Sequence, residues 1–262
     1  MSLWEAVFLG FLQGTTEFLP VSSSGHLVVG QALLGLDIPG VQFEVAVHVA
    51  TLVSVVLVYH GRIRKLIGGA LSGDAHALRY LGFLVVASLP IVFVGAFFRH
   101  SVEALFESPF VPAVAFLVTG TMLWTTRRAL RRESWPGLGV MAAMAIGLAQ
   151  AFAVVPGISR SGATVVAALW MGVEAEEAAA FSFLMAIPAI AGAAVLQLWG
   201  STDAGTGLAG GALILGSVVA AVTGVVAIRA FIAFLARQTF YRFGVYCWAL
   251  GAAFLVYLVS VG

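Results

Sequence analysis

Residues Phe11–Leu27 read FLQGTTEFLPVSSSGHL, and this stretch decides how the whole chain folds. Its flanks are oily, yet its middle holds a glutamine, two threonines, a glutamate, a proline, three consecutive serines and a histidine. Of the 262 residues, 61% are hydrophobic and only 10% charged, and the mean hydropathy is +1.05. Soluble domains carry roughly one-quarter charged residues, so the chain reads as an all-α polytopic membrane protein. The polar cluster then lies inside a membrane-embedded segment, where each polar group needs a reason.

Working outward, apolar runs at Phe43–Tyr59, Leu81–Phe98, Phe110–Thr126, Ala178–Trp199, Leu208–Leu235 and Phe243–Val261 are each long enough to cross a bilayer core of roughly 30 Å. The basic residues between them are unevenly shared. Arg62, Arg64, Lys65 and Arg79 fall in 61–79, Arg127, Arg128, Arg131 and Arg132 in 127–136, and Arg237 and Arg242 in 236–242. The alternate loops hold Arg99 (99–108) or no basic residue (199–207). Cytoplasmic loops carry the excess of Lys and Arg, which places 61–79, 127–136 and 236–242 in the cytoplasm and both termini outside. Arg229 lies near the cytoplasmic end of its span and can snorkel; Arg160 belongs to no loop. The N-terminus lacks the basic leader of a cleaved signal peptide. The dispersed basic residues and a net charge of +1 give nucleic-acid binding no support. The single cysteine, Cys247, reads as a packing residue.

Two segments, 4–36 and 137–173, are apolar at their flanks and broken in the middle. The loop sides alternate correctly only if each segment enters the membrane and returns on the same side, the first from outside and the second from the cytoplasm. A shift of 137 positions lays the first on the second: Gly10 on Gly147, Gln13 on Gln150, Val21 on Ile158, Ser22 on Ser159, Ser24 on Ser161 and Gly25 on Gly162. Chance recurrence of Gly and Ser is the plain alternative, but these matches agree with the independent charge argument. The expected fold is therefore one membrane domain, 1–262, built as an inverted-topology repeat. Repeat 1 covers about 1–132 and repeat 2 about 133–262, with six full transmembrane helices plus two re-entrant helix pairs meeting near midplane. In such folds the site lies at the interface of the repeats, on the broken helices.

Irregular backbone at membrane depth survives only where protein or a wet cavity satisfies it. PVSSSGH (Pro20–His26) and PGISRSG (Pro156–Gly162) have that character. Proline stops the incoming helix, serine can cap the outgoing one, and glycine allows close approach. An outgoing helix begins with free N–H groups and the positive end of its dipole, which makes an anion site. Arg160 adds a planar fork of donors matched to phosphate. Glu17 and Arg160 each cost roughly 2.5–3.5 kcal/mol at mid-bilayer. A structural salt bridge between the repeats is the plain explanation for them, but it leaves His26 and the five serines of the two motifs unexplained. Together these groups suit phosphate chemistry: a base or nucleophile, hydroxyls, an acid able to hold a divalent cation, and an anion clamp.

With TEFLPVSSSGH and PGISRSG on the page, the chain resembles, over its whole length, the BacA-type undecaprenyl-diphosphatases. The resemblance implies an enzyme of the bacterial plasma membrane that hydrolyses a C55 polyprenyl diphosphate to the monophosphate and phosphate, recycling the lipid carrier of cell-wall glycan synthesis. Its site is expected to open to the outer face. It implies Glu17, Ser23, His26 and Arg160 as catalytic residues, and Ser22, Ser24 and Ser159 beside them. Gln13, Gly25, Ser161, Gly162 and Thr164, one turn beyond Arg160, complete the expected substrate contacts. Ser23 or His26 is the expected nucleophile, or the base that activates one, with direct attack by water still open. Glu17 is expected to hold Mg²⁺ or Ca²⁺, or to orient His26. Members of the family often have a second glutamate where this chain has Gln13; one carboxylate with waters and substrate oxygens is still compatible with Mg²⁺. Membrane lipid is the expected surrounding, and a homodimer is compatible with the sequence. The rival from another class is a lipid-carrier flippase or transporter using the same inverted-repeat site.

Glu44 and His48, four apart on the first full span, line the cavity or sit near its outer mouth. Glu5 suits the first helix's N-terminus, and Glu174, Glu176 and Glu177 suit that of a later helix. His60, His76 and His100 read as loop histidines. The charge asymmetry makes a direct prediction: in a Cys247→Ser background, cysteines placed at 70 and 130 are labelled only from the cytoplasmic side, and one at 203 only from outside. Labelling of 70 and 203 from the same side would break the inverted repeat.

Overall fold

The computed structural model describes residues 1–34, 40–134, 137–200 and 210–261; side chains are not described at 31–34, 40–42 and 196–200. All regular structure among the described residues is helical. The chain runs α1 (Leu3–Phe18), α2 (Ser23–Leu34), α3 (Gly40–Leu71), α4 (Ala75–Phe97), α5 (Arg99–Glu107), α6 (Phe110–Ala129), α7 (Val140–Phe152), α8 (Arg160–Trp170), α9 (Ala175–Gly200), α10 (Gly210–Ala236), a short 3-10 turn (Phe240–Arg242) and α11 (Phe243–Val261). Five stretches are long and apolar enough to cross a membrane: Phe43–Leu71, Ala75–Phe97, Ala175–Val195, Gly210–Ala236 and Phe240–Val261. A sixth is α6 taken with α5, which meets it at a 100° bend. This is a polytopic membrane protein.

The helices reach further than the apolar runs. α3 continues to Leu71 and α4 starts at Ala75, so the expected loop 61–79 shrinks to a tight turn. There the Asp74 side chain accepts from the Ala77 N–H at 2.9 Å and Gly73 takes φ 76°. A 32-residue helix is about 48 Å long, longer than the bilayer core, so Arg62, Arg64 and Lys65 ride on its end. Likewise 99–108 is largely the amphipathic α5, held by an Arg99–Glu103 pair at 2.8 Å. His60, His76 and His100 accordingly lie on helices. Loop 199–207 falls almost wholly outside the described residues, as do the first two residues of the Leu208–Leu235 run and the proposed label at 203.

The start of α1 is fixed as Glu5 suggested. Ser2 caps it, the Glu5 N–H donating to Ser2 Oγ at 3.2 Å and the Ser2 N–H to Glu5 Oε2 at 2.8 Å. At α9, Arg62 of α3 donates to both Glu177 oxygens at 2.6 Å and lies 4.9 Å over the ring of Tyr80 on α4, tying three helices together. Cys247 is buried, with Sγ 3.7 Å from the Pro20 carbonyl.

Close helix contact depends on small residues, because lipid supplies no hydrophobic drive between helices. A Cβ built on Gly10 would strike the Gly216 carbonyl of α10, and one on Gly14 the Ala220 carbonyl and Thr223 Oγ1. On the other side of the molecule, a Cβ on Gly147 of α7 would strike the Ala87 carbonyl of α4. α1 therefore lies against α10 as α7 lies against α4. Overpacking such a contact costs about 1–3 kcal/mol or more. Gly14→Leu is expected to lower the thermal midpoint of the detergent-solubilised protein and to abolish activity, because α1 carries Glu17; an unchanged midpoint would mean that this contact does not hold α1 in place.

Candidate active site

α1 ends where Pro20 requires it. The residue before proline avoids the helical region, and Leu19 is extended at φ −62°, ψ 147°. The chain then turns through Ser22, a non-glycine at φ 67°. The Ser22 Oγ accepts from the Gly25 N–H at 3.3 Å and lies 3.4 Å from Ser24 Oγ, starting α2. The second break does the same. Gly157 turns at φ 93°, Ser159 Oγ accepts from the Gly162 N–H at 3.1 Å, and Ser161 Oγ lies 3.3 Å from Ser159 Oγ. The first-turn N–H groups of α2 and α8 have no intrahelical acceptor.

The two breaks touch. A Cβ on Gly25 would lie 2.6 Å from the ring of Phe116 and 3.0 Å from the Gly157 Cα. Ser161 Oγ donates across to the Leu19 carbonyl at 3.3 Å. The second break is held by Thr119 of α6, whose Oγ1 donates to the Gly157 carbonyl at 2.8 Å and accepts from the Ser159 N–H at 3.2 Å.

At this junction opens a cleft of about 270 Å³. It is lined by the polar side chains of Thr16, Glu17, Ser22, Ser23, Ser24, His48, Gln150, Ser159 and Arg160, and by apolar residues, among them Ile91 of α4 and Ala189, Ile190 and Ala193 of α9. Glu17 is its centre. Oε1 accepts from Arg160 Nη2 at 2.8 Å. Oε2 accepts from Ser23 Oγ at 2.7 Å and Gln13 Nε2 at 3.0 Å. The expected salt bridge is thus real, and it stands in the wall of a cleft. Among the described residues, Arg160 Nη1 and both polar atoms of the Gln150 side chain are buried without a hydrogen-bond partner. Unpaired buried donors are expensive, and two of these atoms, Arg160 Nη1 and Gln150 Nε2, are donors on residues that line the cleft.

A family model described as Bacitracin resistance protein BacA matches residues 6–253. The chain belongs to the BacA family. It is similar to proteins named undecaprenyl-diphosphatase from three bacteria. That of Desulforapulum autotrophicum is 39% identical over 272 residues, covering 96% of each chain. That of Rubrobacter xylanophilus is 41% identical over 266 residues, covering 96% of this chain and 97% of its own. That of Alcanivorax borkumensis is 41% identical over 266 residues, covering 98% and 100%.

In this BacA-family chain the expected site residues separate. Glu17, Ser22, Ser23, Ser24, Ser159 and Arg160 converge on the cleft, with Gln13 behind Glu17. Gly25, Ser161 and Gly162 build the junction rather than line it. Thr164 does not reach the cleft: it is fully buried, donates to the Arg160 carbonyl at 2.8 Å and pairs with Ser182 Oγ of α9 at 2.6 Å. One turn beyond Arg160 on α8 points into the α8–α9 contact.

His26 also differs from expectation. Its Nδ1 lies 2.7 Å from the Ser22 carbonyl, which can only accept, so Nδ1 carries the proton. Nε2 then accepts from the Tyr246 hydroxyl at 2.7 Å. The ring stacks on Tyr246 and meets Phe116 edge-on. Both nitrogens are engaged, His26 does not line the cleft, and Ser23 bonds to Glu17 instead of to His26. Of the pair on α3, His48 lines the cleft, with Nε2 3.9 Å from Glu17 Oε2, while Glu44 contributes its backbone carbonyl to His48 Nδ1 at 2.8 Å. The signal for His48 was an imidazole inside an apolar span; for Gln150 it was the match to Gln13.

Among the described residues no three His, Cys, Asp or Glu side chains converge. The one cleft carboxylate already receives three donors, one of them a guanidinium. These residues do not form a resident cation site of their own.

Proposed function

We propose that this chain is an undecaprenyl-diphosphatase, hydrolysing the C55 polyprenyl diphosphate to the monophosphate and phosphate. The observation that carries the mechanism is the Ser23–Glu17–Arg160 chain of hydrogen bonds, which joins the two breaks in the wall of the cleft. The apolar lining residues Ile91, Ala189 and Ile190 suit the prenyl chain, and the polar lining side chains suit the diphosphate.

In this reading Ser23 Oγ attacks the terminal phosphorus. The new O–P bond forms as the bridging P–O bond breaks, the lipid monophosphate leaves, and the Ser23 proton passes to Glu17 Oε2. A hydroxyl with an adjacent acceptor at 2.7 Å is an activated nucleophile. Arg160 Nη1, the Gln150 amide and the first-turn N–H groups of α2 and α8 bind the phosphoryl oxygens, where charge spreads in the transition state. Gln13 holds the Glu17 oxygen that faces Ser23. His26, through the Ser22 carbonyl, fixes the turn that presents Ser23. Mg²⁺ or Ca²⁺, where one takes part, would be carried by the diphosphate oxygens, since Mg²⁺ binds mainly through waters and substrate phosphates.

The architecture we propose is the inverted repeat, α1–α6 against α7–α11, with both broken pairs re-entrant and meeting near the membrane midplane. Its supports are the matched serine caps, the paired α1–α10 and α4–α7 contacts, and the Arg62–Glu177 bridge. That bridge joins two regions that the charge argument puts on one side. The plasma membrane is the location, with both termini and the cleft toward the outer face. Every group invoked comes from one chain, so a homodimer is not needed for the site. The flippase alternative draws on the same repeat but leaves the serine on the carboxylate without a task.

The test is phosphate release from a polyprenyl diphosphate. Arg160→Lys keeps the charge but cannot hold Glu17 and a phosphoryl oxygen through two nitrogens at once. Turnover is expected to fall about 100-fold, in line with loss of one charge-stabilising donor, and further in Arg160→Ala. Wild-type turnover in Arg160→Lys at saturating substrate would reduce Arg160 to a generic countercharge.

A further inference from the structure

His48 lines the cleft and has no part in the attack on the diphosphate. It reaches the site from α3, separately from the two broken segments. Its Nδ1 lies 2.8 Å from the Glu44 carbonyl. That oxygen only accepts, so the proton of the neutral ring is on Nδ1 and the Nε2 lone pair is free. Among the described residues Nε2 has no hydrogen-bond partner, and at 3.9 Å from Glu17 Oε2 it is too far for one. The side chain is 25% exposed and lines the cleft. His26 has the same Nδ1–carbonyl bond, but its Nε2 is taken by Tyr246. Of His26 and His48, only His48 lines the cleft with an unpaired Nε2. The charged or titratable groups around it are Glu44 on its own helix, Glu17 from α1 and Arg160 from α8. Those of α9 and α10 lie at Glu176, Glu177 and Arg229, and those of α4 at its start, His76, Arg79 and Tyr80.

We propose that His48 is the base of the second half-reaction, the hydrolysis of phosphorylated Ser23. This rests on the reading of Ser23 as nucleophile. After the lipid monophosphate leaves, Glu17 holds the proton from Ser23 and cannot accept another from water. A second acceptor is therefore required, and His48 Nε2 faces the same phosphorus from another helix. Water attacks that phosphorus: its O–P bond forms as the Ser23 Oγ–P bond breaks. The water proton goes to His48 Nε2, and Ser23 Oγ takes back its proton from Glu17. His48 then passes its proton to the departing phosphate or to solvent. The sum is diphosphate plus water giving monophosphate plus phosphate, with no other reactant.

The experiment is rapid-quench labelling of the detergent-solubilised protein with a polyprenyl diphosphate labelled on its terminal phosphate. In His48→Gln one equivalent of lipid monophosphate per protein is expected in a burst, followed by steady turnover about 100-fold or more below wild type, the usual contribution of a general base. The label should be on Ser23, and KM should not rise, because formation of the phosphoenzyme does not use His48. His48→Asn, which keeps a donor for the Glu44 carbonyl, should show the same burst and guards against a folding artefact. Imidazole added to His48→Ala should shorten the life of the labelled serine, a rescue that a merely structural histidine would not show. Turnover of His48→Gln within about threefold of wild type, or slow turnover with neither burst nor label in both variants, overturns the proposal. Ser23→Ala separates the two readings. If it is inactive while His48→Gln turns over normally, His48 alone fails; if Ser23→Ala itself turns over, the nucleophile assignment fails first and takes this step with it.

Discussion

The site depends on one ion pair. Glu17 and Arg160 come from different broken segments, 143 positions apart, and meet at 2.8 Å. Each alone would be costly in a membrane, and as a pair they hold the first break against the second. Removing one partner leaves the other buried and unpaired, which is worse than never having had the pair. The pair is also incomplete in an informative way. Arg160 uses Nη2 on Glu17 and keeps Nη1 buried without a partner. A purely structural bridge would gain from closing that fork onto the carboxylate. Here half the fork is left without a protein partner among the described residues.

The rest of the fold makes this junction possible. Two helix starts can approach because Gly25 and Gly157 remove side chains where the breaks touch, and because glycines 10, 14 and 147 let the incoming helices lie against neighbouring backbone. Thr119 then pins the second break from α6, and His26, wedged between Ser22, Tyr246 and Phe116, pins the first. Rigid support of this kind matters in phosphoryl transfer, where positioning and electrostatics do most of the work.

Much of this was legible in the sequence because membranes impose few, strict rules. Span length and the proline-centred breaks located the long apolar helices, five among the described residues or six with the bent α5–α6 pair, and the breaks between α1 and α2 and between α7 and α8. The buried charges named Glu17 and Arg160 as partners. What stayed hidden was the direction of side chains. Spacing alone put Ser23 and His26 three apart on one helix start, yet Ser23 turns to Glu17 and His26 to Tyr246, a contact 220 positions away. Thr164 lies one turn from Arg160 but faces α9. His48 could not be separated from Glu44 by spacing, since the two share a helix face; only the bundle shows which one the cleft receives. Helix ends were misjudged for a different reason: α3 and α5 extend beyond the apolar runs on polar residues, held by Arg62–Glu177 and Arg99–Glu103, and hydropathy does not register such contacts.

The crowding of Glu17 also bears on what that carboxylate can do. Three donors converge on it, from Gln13, Ser23 and Arg160. A carboxylate that ligates a metal offers its lone pairs to the ion; this one has given most of them to N–H and O–H groups, and a guanidinium stands where a second cation would be repelled. The neutral amide of Gln13 strengthens the bias. A carboxylate in its place would repel Glu17 and invite a cation between them, whereas the amide donates to the same oxygen that receives Ser23. With that oxygen held in place, the Ser23 hydroxyl has a fixed acceptor and direction. Gln13 thus leaves Glu17 better suited to receiving the Ser23 hydroxyl than to holding a cation, which is the part the proposed mechanism gives it.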